Sequence, residues 1–373
     1  MGEKKTKIIC FYLPQFHEIE ENNLWWGKGY TDWIATKKAT SLFKGHNQPR
    51  VPLDNNYYNL SDESARTIKW QAELAKAYGI YGFCIYHYWF AGKKLLEKPV
   101  EILRAHAEIE IKYTLCWDSK TWKRTWYSDE HEQEILIEQD YGNEEMWKNH
   151  FYDLLYYFTD ERYIKLDNRP VFHIYQASKI PCLFEMMKCW NELAKQNGFK
   201  GMYIVAGGSE NRNDDTLLKS VDAFYNFEPT WSFYKNAKSF LVRNSVIIAG
   251  LKKRANKLLR TNFFPDQRDA KAFYKLIEKD KNHENKKCFY GVFSDYDDTP
   301  RRKIKGTVYT NNSSSYFAEC LKTQIRKSIE ENNEFIYINA WNEWGEGAYL
   351  EPDNLNGYIY LETIKKVIDE EMI

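Results

Sequence analysis

Cysteine is scarce and poorly spaced for chemistry: seven residues in 373, an odd number, with no CxxC pair. That argues against a zinc ribbon or a thioredoxin-type site. Cys10, Cys84 and Cys116 lie inside apolar runs and read as small core residues, a pattern that suits a reducing compartment. Charge of one sign is not in excess either. Lys plus Arg and Asp plus Glu both number 53, so nucleic acid is not the expected main partner. No stretch approaches the roughly 20 apolar residues of a membrane span. Only a short apolar run precedes Pro14, unlike a secretory signal, so the expectation is a cytoplasmic chain. No Gly-rich loop opens a helix, so the phosphate cradle of a dinucleotide-binding fold is missing. No acid, His or Cys cluster has metal-site spacing, and no metal or cofactor is expected.

What the chain has in abundance is aromatic: 13 Trp, 28 Tyr and 21 Phe. Flat rings fill cores and also stack on the apolar faces of sugars, and composition alone does not separate the two uses. Position does more. The stretch 335–353 reads FIYINAWNEWGEGAYLEPD. Phe335 to Ile338 is a short β-prone apolar run that predicts a buried strand. Two acids, Glu343 and Glu346, then follow among Asn342, Trp344 and two glycines. Residues three apart on an ideal strand face opposite ways, so a turn at Gly345 is needed to aim both carboxylates at one ligand. They would then lie within the roughly 5–9 Å used by paired carboxylates in glycoside chemistry. The plainer reading is a solvated acidic loop, which would leave the indoles exposed for no gain.

Eight short apolar runs recur along the chain: 8–13, 80–86, 111–117, 170–175, 202–206, 223–227, 288–293 and 335–338. Helical patterns alternate with them, including one that Ser61 or Asp62 would cap. Alternation implies parallel strands, and eight repeats predict one domain, residues 1–373, folded as an α/β (β/α)8 TIM barrel with a helical insertion around 232–281. An open doubly wound sheet is the second choice. In a barrel the site lies where strands end, and there stand His17, Trp26, Asp32, Trp33, His87, Tyr88, Trp89, Trp117, Asp118, Glu228 and Asp297. The histidines read either as ligand contacts or as structural hydrogen-bond partners. The indoles divide between core and sugar platform. Asp297 with Arg301 or Arg302 reads equally as a loop salt bridge.

One helical segment stands apart. Residues 245–260, SVIIAGLKKRANKLLR, carry apolar positions interleaved with Lys252, Lys253, Arg254, Lys257 and Arg260 and no acid. It reads as an outer barrel helix with a solvated basic face, or as a contact with an anionic membrane surface.

FYLPQFH at 11–17, WWGKGYTDW at 25–33, YGFCIYHYWFAGKKLLEKP at 81–99, YDDTPRR at 296–302 and WNEWGEGAYLEPD at 341–353 together resemble the WbsX-type glycosyltransferases of bacterial O-antigen and capsule clusters. That domain is similar to glycoside hydrolase family 99, the endo-α-mannosidases and mannanases. The resemblance implies a (β/α)8 barrel and an oligosaccharide or lipid-linked glycan as substrate. It further implies Glu343 as the base that deprotonates a sugar 2-hydroxyl and Glu346 as the acid/base. The chain departs from the pattern at Ser119 and Lys120, where such proteins usually carry Asn and Glu. Three readings follow: glycosyl transfer, hydrolysis of an internal glycosidic bond, and glycan binding without catalysis.

Overall fold

The computed structural model describes residues 6–126, 134–207, 212–259, 261, 264–281 and 286–371. The barrel strands are β1 (Lys7–Tyr12), β2 (Gly82–Phe90), β3 (Lys112–Asp118), β4 (Arg169–Tyr175), β5 (Tyr203–Gly207), β6 (Ala223–Tyr225), β7 and β8 (Phe335–Asn339). β7 comes in two pieces, Lys287–Phe289 and Gly291–Phe293. The first piece pairs with β6 and the second with β8, so the break at Tyr290 is where the barrel closes. Neighbours in the barrel wall are parallel throughout, and β1 joins β8 to β2. The expected (β/α)8 barrel is the observed one.

Parallel strands buried on both faces read as continuous apolar runs, which is why each was visible in sequence. Their side chains still alternate. Phe11, Cys84, Cys116, Val205, Tyr225 and Tyr337 fill the barrel interior. Their neighbours in chain order, such as Cys10, Phe83, Leu115 and Ile338, pack outward against the helices. Gly207 makes room inside, because a Cβ there would lie 1.8 Å from the Tyr225 ring. All seven cysteines are free thiols.

The helices fall near their expected places, with Glu144–Phe158 matching at both ends. Two short helices, Glu20–Trp26 and Asp32–Lys38, follow β1, and the helix before β2 runs over Arg66–Ala77 instead of beginning at residue 61. Asp62 caps no helix; it accepts from the Ser64 N–H at 3.1 Å in a preceding turn. The insertion holds helices Thr230–Lys235, Phe240–Leu259 and Ala270–Lys279. It also holds an unforeseen strand, Asp266–Asp269, which pairs with Thr307–Thr310. That strand is polar and carries no apolar signal. Arg260 lies outside the described residues. Among the described residues no helix is long and apolar enough to cross a membrane.

Candidate active site

The motif after β8 folds into a tight hairpin. Asn342–Glu343 pairs antiparallel with Ala348–Tyr349, and residues 344–346 form the turn between them. Gly347 supplies the left-handed backbone at φ 61°. Gly345 serves another purpose: a Cβ there would stand 2.5 Å from Arg301 Nε and 2.6 Å from an Asp32 oxygen. Asn342 fixes the hairpin to β1's end, accepting from Leu13 N–H at 2.7 Å and donating to Leu13 O at 3.0 Å.

The turn brings both acids to one cation. Arg301 Nη2 lies 3.1 Å from Glu343 Oε2, and Nη1 lies 2.8 Å from Glu346 Oε1. Its Nε donates to Asp32 Oδ1 at 3.0 Å, while Asp32 Oδ2 accepts from Gly345 N–H at 3.0 Å. One planar guanidinium thus holds both carboxylates beside each other. Burial opposes the charge on Arg301, but its three acids outweigh that and keep it protonated. Burial pushes Glu343 up, with Glu346 and Asp32 adding to it and Arg301 opposing, to about 8. The two acids also differ in access: the Glu346 side chain is 29% exposed and that of Glu343 8%.

These acids open on a cavity of about 500 Å³. Its wall is aromatic and includes Trp25, Trp26, Tyr88, Trp122, Trp126 and Tyr175. Trp26 stacks on Trp126 at 5.5 Å between ring centres, and Arg301 lies 4.7 Å from the Trp126 ring. Asp118 and Lys120 face each other in the same cavity at 3.5 Å, with the Lys120 ammonium 4.7 Å from the Tyr175 ring. Ser119 points away and donates to Tyr175 O at 2.7 Å. Such a space, apolar faces with a few converging charges, suits a ring that is flat on its faces and polar at its edges. Among the described residues no group of His, Cys, Asp and Glu is placed to hold a metal ion.

Of the residues named from the sequence, Trp26, Tyr88, Asp118, Lys120, Arg301, Arg302, Glu343 and Glu346 line the cavity. Asp32 stands behind it as the partner of Arg301. The others do not reach it. β2 extends to Phe90 because it forms a hairpin with Lys93–Leu95, so His87 and Trp89 lie within the strand. Alternation then sends Tyr86 and Tyr88 inward and His87 and Trp89 outward. There His87 Nε2 meets His150 Nε2 at 2.9 Å, and Trp89 stacks on the His150 ring at 4.4 Å. Trp117 joins that outer layer and donates to Trp89 O at 3.2 Å. Trp33 is buried among Phe16, Tyr58 and Trp344. Trp344 donates at 2.7 Å to buried Glu351, whose pKa burial pushes up to about 7. His17 is buried away from the cavity, and burial lowers it to about 4. Glu228 is buried against Ser232 at 2.9 Å, and burial raises it to about 8.

Asp297 pairs with neither Arg301 nor Arg302. It accepts from Gln48 at 2.6 Å, from Thr299 at 2.6 Å and meets His46 at 2.8 Å. Burial works against its charge, but His46, Arg50, Thr299 and Gln48 hold it down at about 2. Its N–H donates to Glu346 O at 2.6 Å, so Asp297 holds the turn that carries Glu346. Sequence reasoning undervalued Arg301 and passed over Trp122, Trp126 and Tyr175. The TPRR segment was visible, but nothing local says that its first Arg reaches residues 32, 343 and 346.

Comparison with known proteins agrees with this architecture. The chain matches the glycosyltransferase WbsX family over residues 8–364. A relative described as uncharacterized protein WxcX, from Xanthomonas campestris pv. campestris, is 30% identical over 370 residues, 97% of this chain and 49% of the relative. Its counterpart from a second strain gives the same values. The chain therefore spans about half the length of these relatives. Among solved structures, the GH99 endo-alpha-mannosidase of Bacteroides thetaiotaomicron in complex with BIS-TRIS-propane superposes with a TM-score of 0.59 at 15% identity, covering 98% of this chain and 97% of that one. The same enzyme in a second structure gives 0.57 at 13% identity, with the same coverage. At such identity the likeness is one of fold. The match over nearly its whole length places this chain in the WbsX glycosyltransferase family.

Proposed function

We propose that this chain transfers a glycosyl group during assembly of a bacterial surface polysaccharide of the O-antigen or capsule type, with Glu343 and Glu346 as the acids that carry the chemistry. Family membership and fold both support a carbohydrate-active enzyme. The observation that carries the reading further is the shared guanidinium: Arg301 holds both acids at the mouth of an aromatic-walled cavity. One acid is buried with a raised pKa and its neighbour is more open, which is the asymmetry an acid and a base require. With its pKa raised to about 8, Glu343 holds a proton near neutral pH, so it serves as the base only after releasing that proton. Glu346, nearer the opening, is placed to meet the leaving oxygen.

Hydrolysis is the second reading. Paired acids serve cleavage equally well, and no Gly-rich phosphate loop marks a nucleotide-sugar site. A glycan-binding role without turnover is the third, motivated by Lys120 in the cavity where the family pattern leads one to expect an acid. The transfer reading further supposes a cytoplasmic enzyme that meets an oligosaccharide or a lipid-linked glycan.

A mass-spectrometric screen of glycans and activated donors separates the three, with wild type beside Glu346→Gln. Product that needs a donor and disappears in the variant supports transfer. Product formed in water alone overturns transfer in favour of hydrolysis. Sugar binding without product in either protein makes Glu343 and Glu346 contact residues only.

A further inference from the structure

The helix Phe240–Leu259 is built inside out. Of its 20 residues only Val242 is buried. At 100° per residue, Phe240, Ile247, Leu251 and Leu258 fall on one line. These four are 83%, 48%, 58% and 83% exposed. The opposite face, with Val242, Ser245, Ala249 and Asn256, is the one turned toward the protein. Asn256 makes two hydrogen bonds there with the Phe264 backbone, and Lys252 donates to Pro265 O at 3.0 Å. An outer barrel helix packs its apolar stripe inward. This one turns small and polar side chains inward and shows its apolar stripe to solvent.

Charge says what covers that stripe. Arg243, Lys253, Arg254 and Lys257 are all exposed and flank one side of it. The helix contains no acid to offset them. A basic flank beside an apolar ridge is what lies flat at an anionic lipid surface, ridge in the acyl boundary and cations at the headgroups. A neutral apolar partner would leave four like charges crowded beside it.

The root of the helix is on the cavity side of the barrel. It follows Thr230–Lys235, whose first residue lines the cavity. It rests near the strand Asp266–Asp269, which pairs with Thr307–Thr310 just beyond Arg301. We infer that Phe240–Leu259 docks this chain on an anionic membrane surface, setting the cavity near the lipid headgroups. The inference stands apart from the choice between transfer and hydrolysis.

Co-sedimentation tests it without any activity. Purified full chain is mixed with vesicles of phosphatidylcholine alone and of phosphatidylcholine with phosphatidylglycerol. Wild type is expected to sediment with the anionic vesicles only, and less so as salt is raised. Leu251→Glu with Leu258→Glu, and separately Lys253→Glu with Lys257→Glu, are each expected to lower binding about tenfold or more. These side chains are exposed, so far-UV circular dichroism should not change. Absence of binding, or equal binding to both vesicle types, overturns the inference. So does a concentration-dependent dimer seen by light scattering and abolished by the leucine pair, which would assign the ridge to a second copy.

Discussion

Arg301 sits with one end of its guanidinium 3.1 Å from Glu343 Oε2, and both residues are buried. Asp32 and Glu346 bind the same cation from its other edges. Three acids around one cation cannot all be charged at low cost, and the most enclosed of the two turn acids, Glu343, is the one whose pKa rises.

Removing the cation should therefore be severe. Arg301→Met leaves buried Asp32 and Glu343 and the partly exposed Glu346 facing one another, and breaking a buried pair typically costs about 3–5 kcal/mol. Thermal or urea unfolding of wild type and variant measures this. The loss should be smaller near pH 5, where protonation relieves the repulsion, than near pH 9.

Glu343 should leave a mark on stability versus pH. The unfolded carboxyl titrates near 4.5 and the folded one near 8. Between these values the folded protein holds a proton that the unfolded chain has released, so stability falls as pH rises through the window. Glu343→Gln carries no such proton. Its stability relative to wild type should improve from about pH 5 to about pH 9. A difference that is flat with pH would show that Glu343 is not protonated in the folded state.

Gly345→Ala places a methyl group 2.5 Å from Arg301 Nε and 2.6 Å from Asp32. The expected cost is about 1–3 kcal/mol from overpacking. Activity should fall more than that suggests, since the groups pushed apart are the ones that align both acids. Gly250→Ala is the control: nothing stands within 4 Å of a Cβ there.

Lys120→Met removes the ammonium beside Asp118 without a large change of volume. If Lys120 contacts the glycan, KM should rise several-fold with a smaller change in kcat. Equal KM would place the lysine outside the bound substrate. Circular dichroism should show no change in either case, because the side chain is 41% exposed.

The barrel is legible in sequence because each wall strand is a continuous apolar run ended by a break in pattern. The paired acids are legible for the opposite reason, as polar groups where an apolar strand stops. What is not legible is which side of a strand a residue takes once the strand outlasts its apolar run. His87 and Trp89 read as lying beyond β2, yet the hairpin with Lys93–Leu95 prolongs it and alternation turns both outward. Arg301 is hidden for another reason. Its three acids come from the first loop and the last, and such meetings have no local signature. Trp122 and Trp126 lie in a stretch with no regular pattern, so nothing in it points to the cavity.

The two hydrogen bonds between Asn342 and Leu13 span 329 positions of chain. They cross the seam where β8 meets β1, the last strand to be made joining the first. The hairpin that carries both acids is thus tied to a residue at the far end of the chain, and this tie exists only where β1 and β8 lie side by side.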